Sequence, residues 1–110
     1  MPMFGKFNSE NFIKEICLYL EHVIFLPDCF IVIKGEIGEE MYFIAEGSVN
    51  VIAEDKKSVL KTLNKGDFFG EIALFMNTTR TTFVKSVSYC SIFMLRKKHI
   101  DNILLTYRSI

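Results

Sequence analysis

The sequence has no tryptophan, two prolines and three cysteines, Cys17, Cys29 and Cys90, in 110 residues. An odd cysteine count without CxxC spacing disfavours both a disulfide framework and a zinc knuckle, and reduced intracellular thiols are the simplest reading. There is no excess of charge of either sign, because 13 Lys and Arg balance 13 Asp and Glu. That neutrality excludes a nucleic-acid reader built on a dominant basic face. Apolar runs such as Val23–Leu26 and Tyr42–Ala45 are far shorter than the roughly 20 residues that cross a bilayer. The N-terminus has no secretory signal pattern, so no direct membrane contact is expected. The two histidines, His22 and His99, fall in regions of helical pattern rather than converging from strands with a carboxylate, as a metal-dependent enzyme on a β scaffold requires. Glycine-rich Lys-Ser/Thr loops, Gly-x-Ser-x-Gly and a plausible Ser/His/Asp set are all missing. A chain with no catalytic residues, metal or cofactor is expected.

What is present is a large apolar fraction, 50% of residues with 11 Phe, enough to build the core of one domain spanning residues 1–110. Between Ser9 and His22, apolar Phe12, Ile13, Ile16, Cys17 and Leu20 recur at three- and four-residue spacings, which predicts an amphipathic helix within an N-terminal helical region, 1–22. Asn8-Ser9 supplies candidate N-caps, and Pro27 forbids helix much beyond Leu26. Short β-rich runs then follow at Val23–Phe25, Phe30–Ile33, Met41–Ala45, Ser48–Ala53, Val59–Leu63, Phe83–Val87 and Cys90–Leu95, separated by turn signals. Many short strands with regular turns predict a sandwich or barrel over residues 23–96. The tail, 97–110, returns to helical spacing with Ile100, Ile103, Leu104 and Tyr107 on one face.

One insertion interrupts the strands. The Phe68–Met76 segment is rich in Ile, Ala, Leu and Met, which suits a short helix at 70–76. A first helical turn has unpaired N–H groups and a partial positive charge, so it attracts anions where a small residue such as Gly70 permits close approach. Arg80, expected on the following strand, has the planar fork that grips two phosphate oxygens. Thr81 and Thr82 add hydroxyls. Glu71 is an acceptor only and would repel a phosphate unless it faced a donor such as a sugar hydroxyl. A ligand carrying phosphate and ribose fits this set. On composition alone the bland alternative stays open: a turn glycine, a carboxylate complementing the helix dipole, and a solvated arginine.

The order Gly66-Asp67-Phe68-Phe69-Gly70-Glu71-Ile72-Ala73-Leu74, with Arg80-Thr81-Thr82 after a short polar gap, resembles the phosphate-binding cassette of cyclic nucleotide-binding domains. The resemblance extends from about Phe4 to Tyr107, since Lys34-Gly35-Glu36-Ile37-Gly38-Glu39-Glu40-Met41-Tyr42-Phe43-Ile44 and Glu46-Gly47 look like an earlier strand and turn of that family. With Ser88-Tyr89-Cys90 and Ile103–Tyr107, the sequence is more similar to the cytoplasmic domains of cyclic nucleotide-regulated cation channels than to kinase regulatory subunits. The resemblance implies a mainly β fold, an antiparallel, jelly-roll-like β-roll with an N-terminal helix, a short cassette helix and a C-terminal helix. It implies cAMP or cGMP as ligand. Gly70, Ile72, Ala73, Arg80 and Thr81 would hold the phosphate, Glu71 the ribose, and Val51, Leu63, Thr81 and Thr82 the purine pocket. A Thr at position 81 can favour guanine, although adenine-preferring channels carry it too. Gly35, Gly38 and Gly47 match turn positions.

The implied function is a cytoplasmic sensor that gates a tetrameric potassium or non-selective cation channel. The alternatives are a regulatory domain of a cyclic nucleotide-dependent kinase and a ligand-independent interaction module. Two departures stand out. Pro27-Asp28-Cys29 replaces the family's Pro-Gly-Asp, which would strain a positive-φ turn. The family's further helix over the purine is expected to be absent or truncated, because the sequence stops at Arg108-Ser109-Ile110.

Overall fold

A computed structural model describes residues 10–108. The chain runs α1 (Glu10–Tyr19), β1 (Glu21–Phe25), β2 (Phe30–Val32), β3 (Glu40–Glu46), β4 (Val49–Ile52), β5 (Val59–Leu63), β6 (Phe68–Phe69), α2 (Glu71–Met76), β7 (Phe83–Ser86), β8 (Cys90–Arg96) and α3 (Lys97–Arg108). The strands form two 4-stranded sheets, ordered β1-β8-β3-β6 and β2-β7-β4-β5, and every pairing is antiparallel. This is the β-roll with flanking helices that the sequence predicts.

Period-two alternation on β3 creates two cores. Tyr42 and Ile44 point between the sheets, where they meet Val32, Val49, Val51, Phe69, Val84, Cys90 and Ile92. Met41 and Phe43 point the other way, toward Ile16 of α1, Leu74 of α2, Leu95 of β8, and Ile100 and Ile103 of α3. Burial of each large apolar side chain contributes about 1.5–3 kcal/mol, so a one-residue slip of β3 would exchange both cores at once. Leu74 is fully buried and ties the short helix α2 to the same core as α1 and α3.

Several boundaries differ from the sequence reading. Glu21 and His22 were expected in the N-terminal helical region but lie on β1, paired with Met94 and Phe93. His22 Nε2 is 2.5 Å from Ser91 Oγ, and Arg96 Nε donates to Glu21 Oε2 at 2.6 Å, contacts that only a strand register supplies. Phe68 and Phe69 were expected in the helical insertion; instead they pair with Phe43 and Tyr42 of β3. Gly70 is the N-cap of α2 rather than its first residue. Asp28 takes φ 61°, so the Pro27-Asp28-Cys29 turn does place a non-glycine residue in the left-handed region. The candidate caps Asn8 and Ser9, the remainder of 1–9, and residues 109–110 lie outside the described residues, as do the side chains of Phe12 and Tyr107. Among the described residues no helix is long and apolar enough to cross a membrane, and no cluster of three or more His, Cys, Asp or Glu is placed to hold a metal ion.

Candidate functional site

The site is organised by Arg80, which is 6% exposed. It precedes β7 rather than lying on that strand, and its backbone is fixed from the Gly35–Glu36 segment: Arg80 N–H donates to Glu36 O at 2.7 Å, and Gly35 N–H donates to Arg80 O at 2.9 Å. The guanidinium is held equally firmly. Nη1 donates to Gly70 O at 2.8 Å and Nη2 to Glu40 O at 2.7 Å, while Cζ lies 6.0 Å from the centre of the Tyr42 ring. Tyr42 stacks on Phe69 at 4.9 Å and donates its hydroxyl to Glu40 Oε1 at 3.2 Å. Burial, followed by the nearby Glu40 carboxylate, pushes the Tyr42 hydroxyl up to about 12, so Tyr42 is a neutral, fixed support.

Magnitudes show what Arg80 still requires. An ion removed from water costs several kcal/mol, and each charge-assisted hydrogen bond returns about 1.5–3 kcal/mol. Two carbonyls therefore hold the group but leave its charge uncancelled. No ion pair of Arg80 is found among the described residues.

Two glycines permit this packing. Gly70 has φ 88° and ψ −4° and caps α2 without a side-chain hydrogen bond. A Cβ there would meet Arg80 Nη1 at 3.0 Å and Glu40 O at 3.1 Å. At Gly38 a Cβ would stand 2.5 Å from Ala73 Cβ and 3.3 Å from Arg80 Cζ. The residue that reads as a turn glycine thus also lets the cassette approach the sheet.

Glu71, the first residue of α2, is half-buried, and its Oε2 is buried with no hydrogen-bond partner among the described residues. Buried carboxylate oxygens are rarely left in that state. Glu71 and Arg80 line the same cavity, of about 250 Å³, yet no salt bridge joins them. The cavity thus offers a cation and a separate acceptor, an arrangement suited to a ligand with an anion and a hydroxyl donor.

Every residue expected at the site lines this cavity: Gly70, Glu71, Ile72, Ala73, Arg80, Thr81, Thr82, Val51 and Leu63. The volume is just below the roughly 300–1,000 Å³ of most small-molecule sites. Val32, Leu60, Lys61, Phe68, Phe69 and Val84 complete the lining; sequence reasoning did not single these out, nor Glu40 and Tyr42 behind Arg80. The alternation that places Val51 and Leu63 inward was the available signal for Lys61. A larger cavity of about 400 Å³ lies at the start of α3, lined by Glu39, Glu40, Arg96, Lys97, Lys98 and Asp101. Its charges largely close on near neighbours, Arg96 on Glu21 at 2.6 Å and Lys97 on Asp101 at 2.8 Å. The smaller cavity, with the unpartnered oxygen, is the better ligand site.

The family model for the cyclic nucleotide-binding domain matches residues 22–107. Human cyclic nucleotide-gated channel beta-1 is 42% identical over 103 residues, covering 90% of this chain and 8% of the channel. A Caenorhabditis elegans cyclic nucleotide-gated channel is 37% identical over 101 residues, 86% of this chain and 14% of the channel. The mouse potassium/sodium hyperpolarization-activated cyclic nucleotide-gated channel 2 is 33% identical over 107 residues, 97% of this chain and 12% of the channel. The chain therefore spans a small fraction of the length of these relatives. Among solved structures, the regulatory domain of Toxoplasma gondii PKA, crystallised with cAMP, matches with a TM-score of 0.81 and 27% identity over 86% of this chain and 37% of that chain.

Proposed function

Because the chain belongs to the cyclic nucleotide-binding domain family, we propose that it is a non-enzymatic sensor that binds cAMP or cGMP in the Arg80–Glu71 cavity and transmits binding to a cation channel, potassium or non-selective. The observation that carries this reading is the buried Glu71 Oε2, unpartnered among the described residues, in the same cavity as a buried arginine that pairs with no carboxylate among them. In this reading Arg80 neutralises the cyclic phosphate, Gly70, Ile72 and Ala73 face it with backbone groups, and Thr81 adds a hydroxyl. Glu71 accepts the ribose 2′-hydroxyl. The purine lies toward Val51, Leu63, Thr81 and Thr82. The channel relatives support a channel as the parent protein, and in this reading the domain lies on the cytoplasmic side of a tetrameric assembly.

A ligand shifts a conformational equilibrium only by binding one state better than another. A short connection suits such a shift. Arg80 Nη2 holds Glu40 O, and the adjoining Glu39 O accepts the Lys97 N–H at 2.7 Å, the first amide of α3. Charge placed against Arg80 would thus bear on the residue pair that anchors α3.

Calorimetric titration with cAMP and cGMP tests the reading. Saturable binding by the wild-type protein that is lost in Arg80→Ala is expected, together with altered hydrogen exchange of the α3 amides on saturation. Equal affinity in the two proteins would remove the phosphate assignment, and unchanged exchange across α3 would remove the transmission route. A kinase parent is the second reading, supported by the likeness to a solved PKA regulatory domain.

A further inference from the structure

The β4–β5 turn is exposed from Glu54 through Leu60, and β5 is the edge of its sheet. Ser58, at the entry to β5, follows Lys56 and Lys57 directly and precedes Lys61. None of these three lysines takes part in the ion pairs found among the described residues, whereas Glu54 is engaged by Lys34 at 3.6 Å. An accessible hydroxyl thus stands among uncompensated positive charges.

The same hydroxyl helps to hold a strained turn. Lys56 adopts φ 63°, a left-handed conformation that is unfavourable for a residue with a Cβ. Asp55 fixes the segment around it. Its Oδ1 accepts the N–H groups of Lys57 and Ser58 at 2.8 Å, and its Oδ2 accepts the Ser58 hydroxyl at 2.5 Å.

We propose that Ser58 is a phosphorylation site for a protein kinase that selects basic sequence, and that the modification opens the β4–β5 turn. A kinase cleft lined with carboxylates complements Lys56, Lys57 and Lys61. In the transfer Ser58 Oγ bonds to the γ-phosphorus of ATP, the bond from that phosphorus to the bridging oxygen breaks with its electron pair leaving on ADP, and the hydroxyl proton passes to the kinase's catalytic carboxylate. A phosphoserine carries a charge of about −1.5 to −2 at pH 7 and accepts hydrogen bonds. Beside Asp55 it replaces a donor with a like charge. The bond to Oδ2 is lost, the strain at Lys56 is free to relax, and the lysines are available as counter-charges. The inference does not depend on what the cavity binds.

The test incubates the folded protein with magnesium-ATP and either protein kinase C, a basic-selective enzyme, or casein kinase 2, an acid-selective one, and maps phosphate by mass spectrometry. Protein kinase C is expected to place one phosphate on Ser58, and Ser58→Ala is expected to remove it. Lys57→Glu should slow the labelling on the order of ten-fold. In the phosphorylated protein the Lys57 and Ser58 amides should exchange on the order of ten-fold faster, whereas Ser58→Ala, which keeps both backbone bonds to Asp55, should retain most of their protection. No phosphate on Ser58 with protein kinase C, or labelling by casein kinase 2 alone, overturns the site. Phosphate on Ser58 with unchanged exchange at both amides overturns the opening of the turn.

Discussion

The β4–β5 turn and the segment that starts α2 treat their carboxylates in opposite ways. Asp55 is exposed, yet its Oδ1 accepts the N–H groups of Lys57 and Ser58 at 2.8 Å, and its Oδ2 accepts the Ser58 hydroxyl at 2.5 Å. Glu71 is half-buried, and its Oε2 has no hydrogen-bond partner among the described residues. Satisfaction of acceptors ordinarily matters more with burial, so the order is reversed. The turn closes on itself and adds to stability. The cassette forgoes about 1–3 kcal/mol by leaving a buried oxygen unmade, which is reasonable where a ligand supplies the donor.

The largest expected effect falls on the residue that organises the cassette. Arg80→Ala should weaken nucleotide binding by about 2–5 kcal/mol, mostly through faster release, as measured by calorimetry and stopped-flow dissociation. It should also lower stability, since Gly70 O and Glu40 O lose their donors; Arg80→Lys, which keeps the charge, separates the two effects. Undiminished affinity in both variants would break the contrast between the two regions.

Glu71→Ala should cost about 1.5–3 kcal/mol of binding, the worth of one charge-assisted hydrogen bond, without lowering the ligand-free melting temperature. A clear loss of ligand-free stability would show that Glu71 supports the fold, as Asp55 does. Tyr42→Phe removes the bond to Glu40 Oε1 and should lower stability in urea by about 1 kcal/mol. Binding should change less, because the Glu40 carbonyl that holds Arg80 belongs to the backbone.

Asp55→Asn should leave nucleotide affinity unchanged and sharpen the comparison through pH. Hydrogen bonds from the Ser58 hydroxyl, the Ser58 N–H and the Lys57 N–H hold the Asp55 carboxyl below its ordinary 3.8. A carboxyl lowered on folding contributes stability that is present above the unfolded value and is lost as pH falls through the folded one. Urea midpoints for wild-type and Asp55→Asn proteins should therefore differ near neutral pH and converge as pH falls below the ordinary 3.8 and through the lowered folded value. A gap that stays constant on acidification would mean that the charge of Asp55 plays no part in the turn.

Local chemistry made much of this legible in advance. The Gly70–Glu71 pair, the Arg80-Thr81-Thr82 run and the alternation at Val51 and Leu63 carry their meaning in a few adjacent residues, and all of them line one cavity. The two-residue strand β6 was not legible, because its pairing with Tyr42 and Phe43 depends on a segment far away in sequence, and the following Ile, Ala and Leu favour helix. Glu21 and His22 continued a helical pattern until the register with β8 drew them into a strand. The grip of Glu40 on Arg80 uses a backbone carbonyl 40 residues away, which no side-chain identity announces. Lys61 was less legible because β5 is exposed along nearly its whole length, so only the alternation through Leu63 points to its face.

The central claim is that the unpartnered oxygen of Glu71 awaits a sugar hydroxyl, and a 2′-deoxy cyclic nucleotide tests it directly. Calorimetry should show the wild-type protein binding the 2′-deoxy ligand about 1.5–3 kcal/mol more weakly than its 2′-hydroxyl parent, with most of that difference abolished in Glu71→Ala. An equal penalty in both proteins, or none in the wild type, would contradict the account.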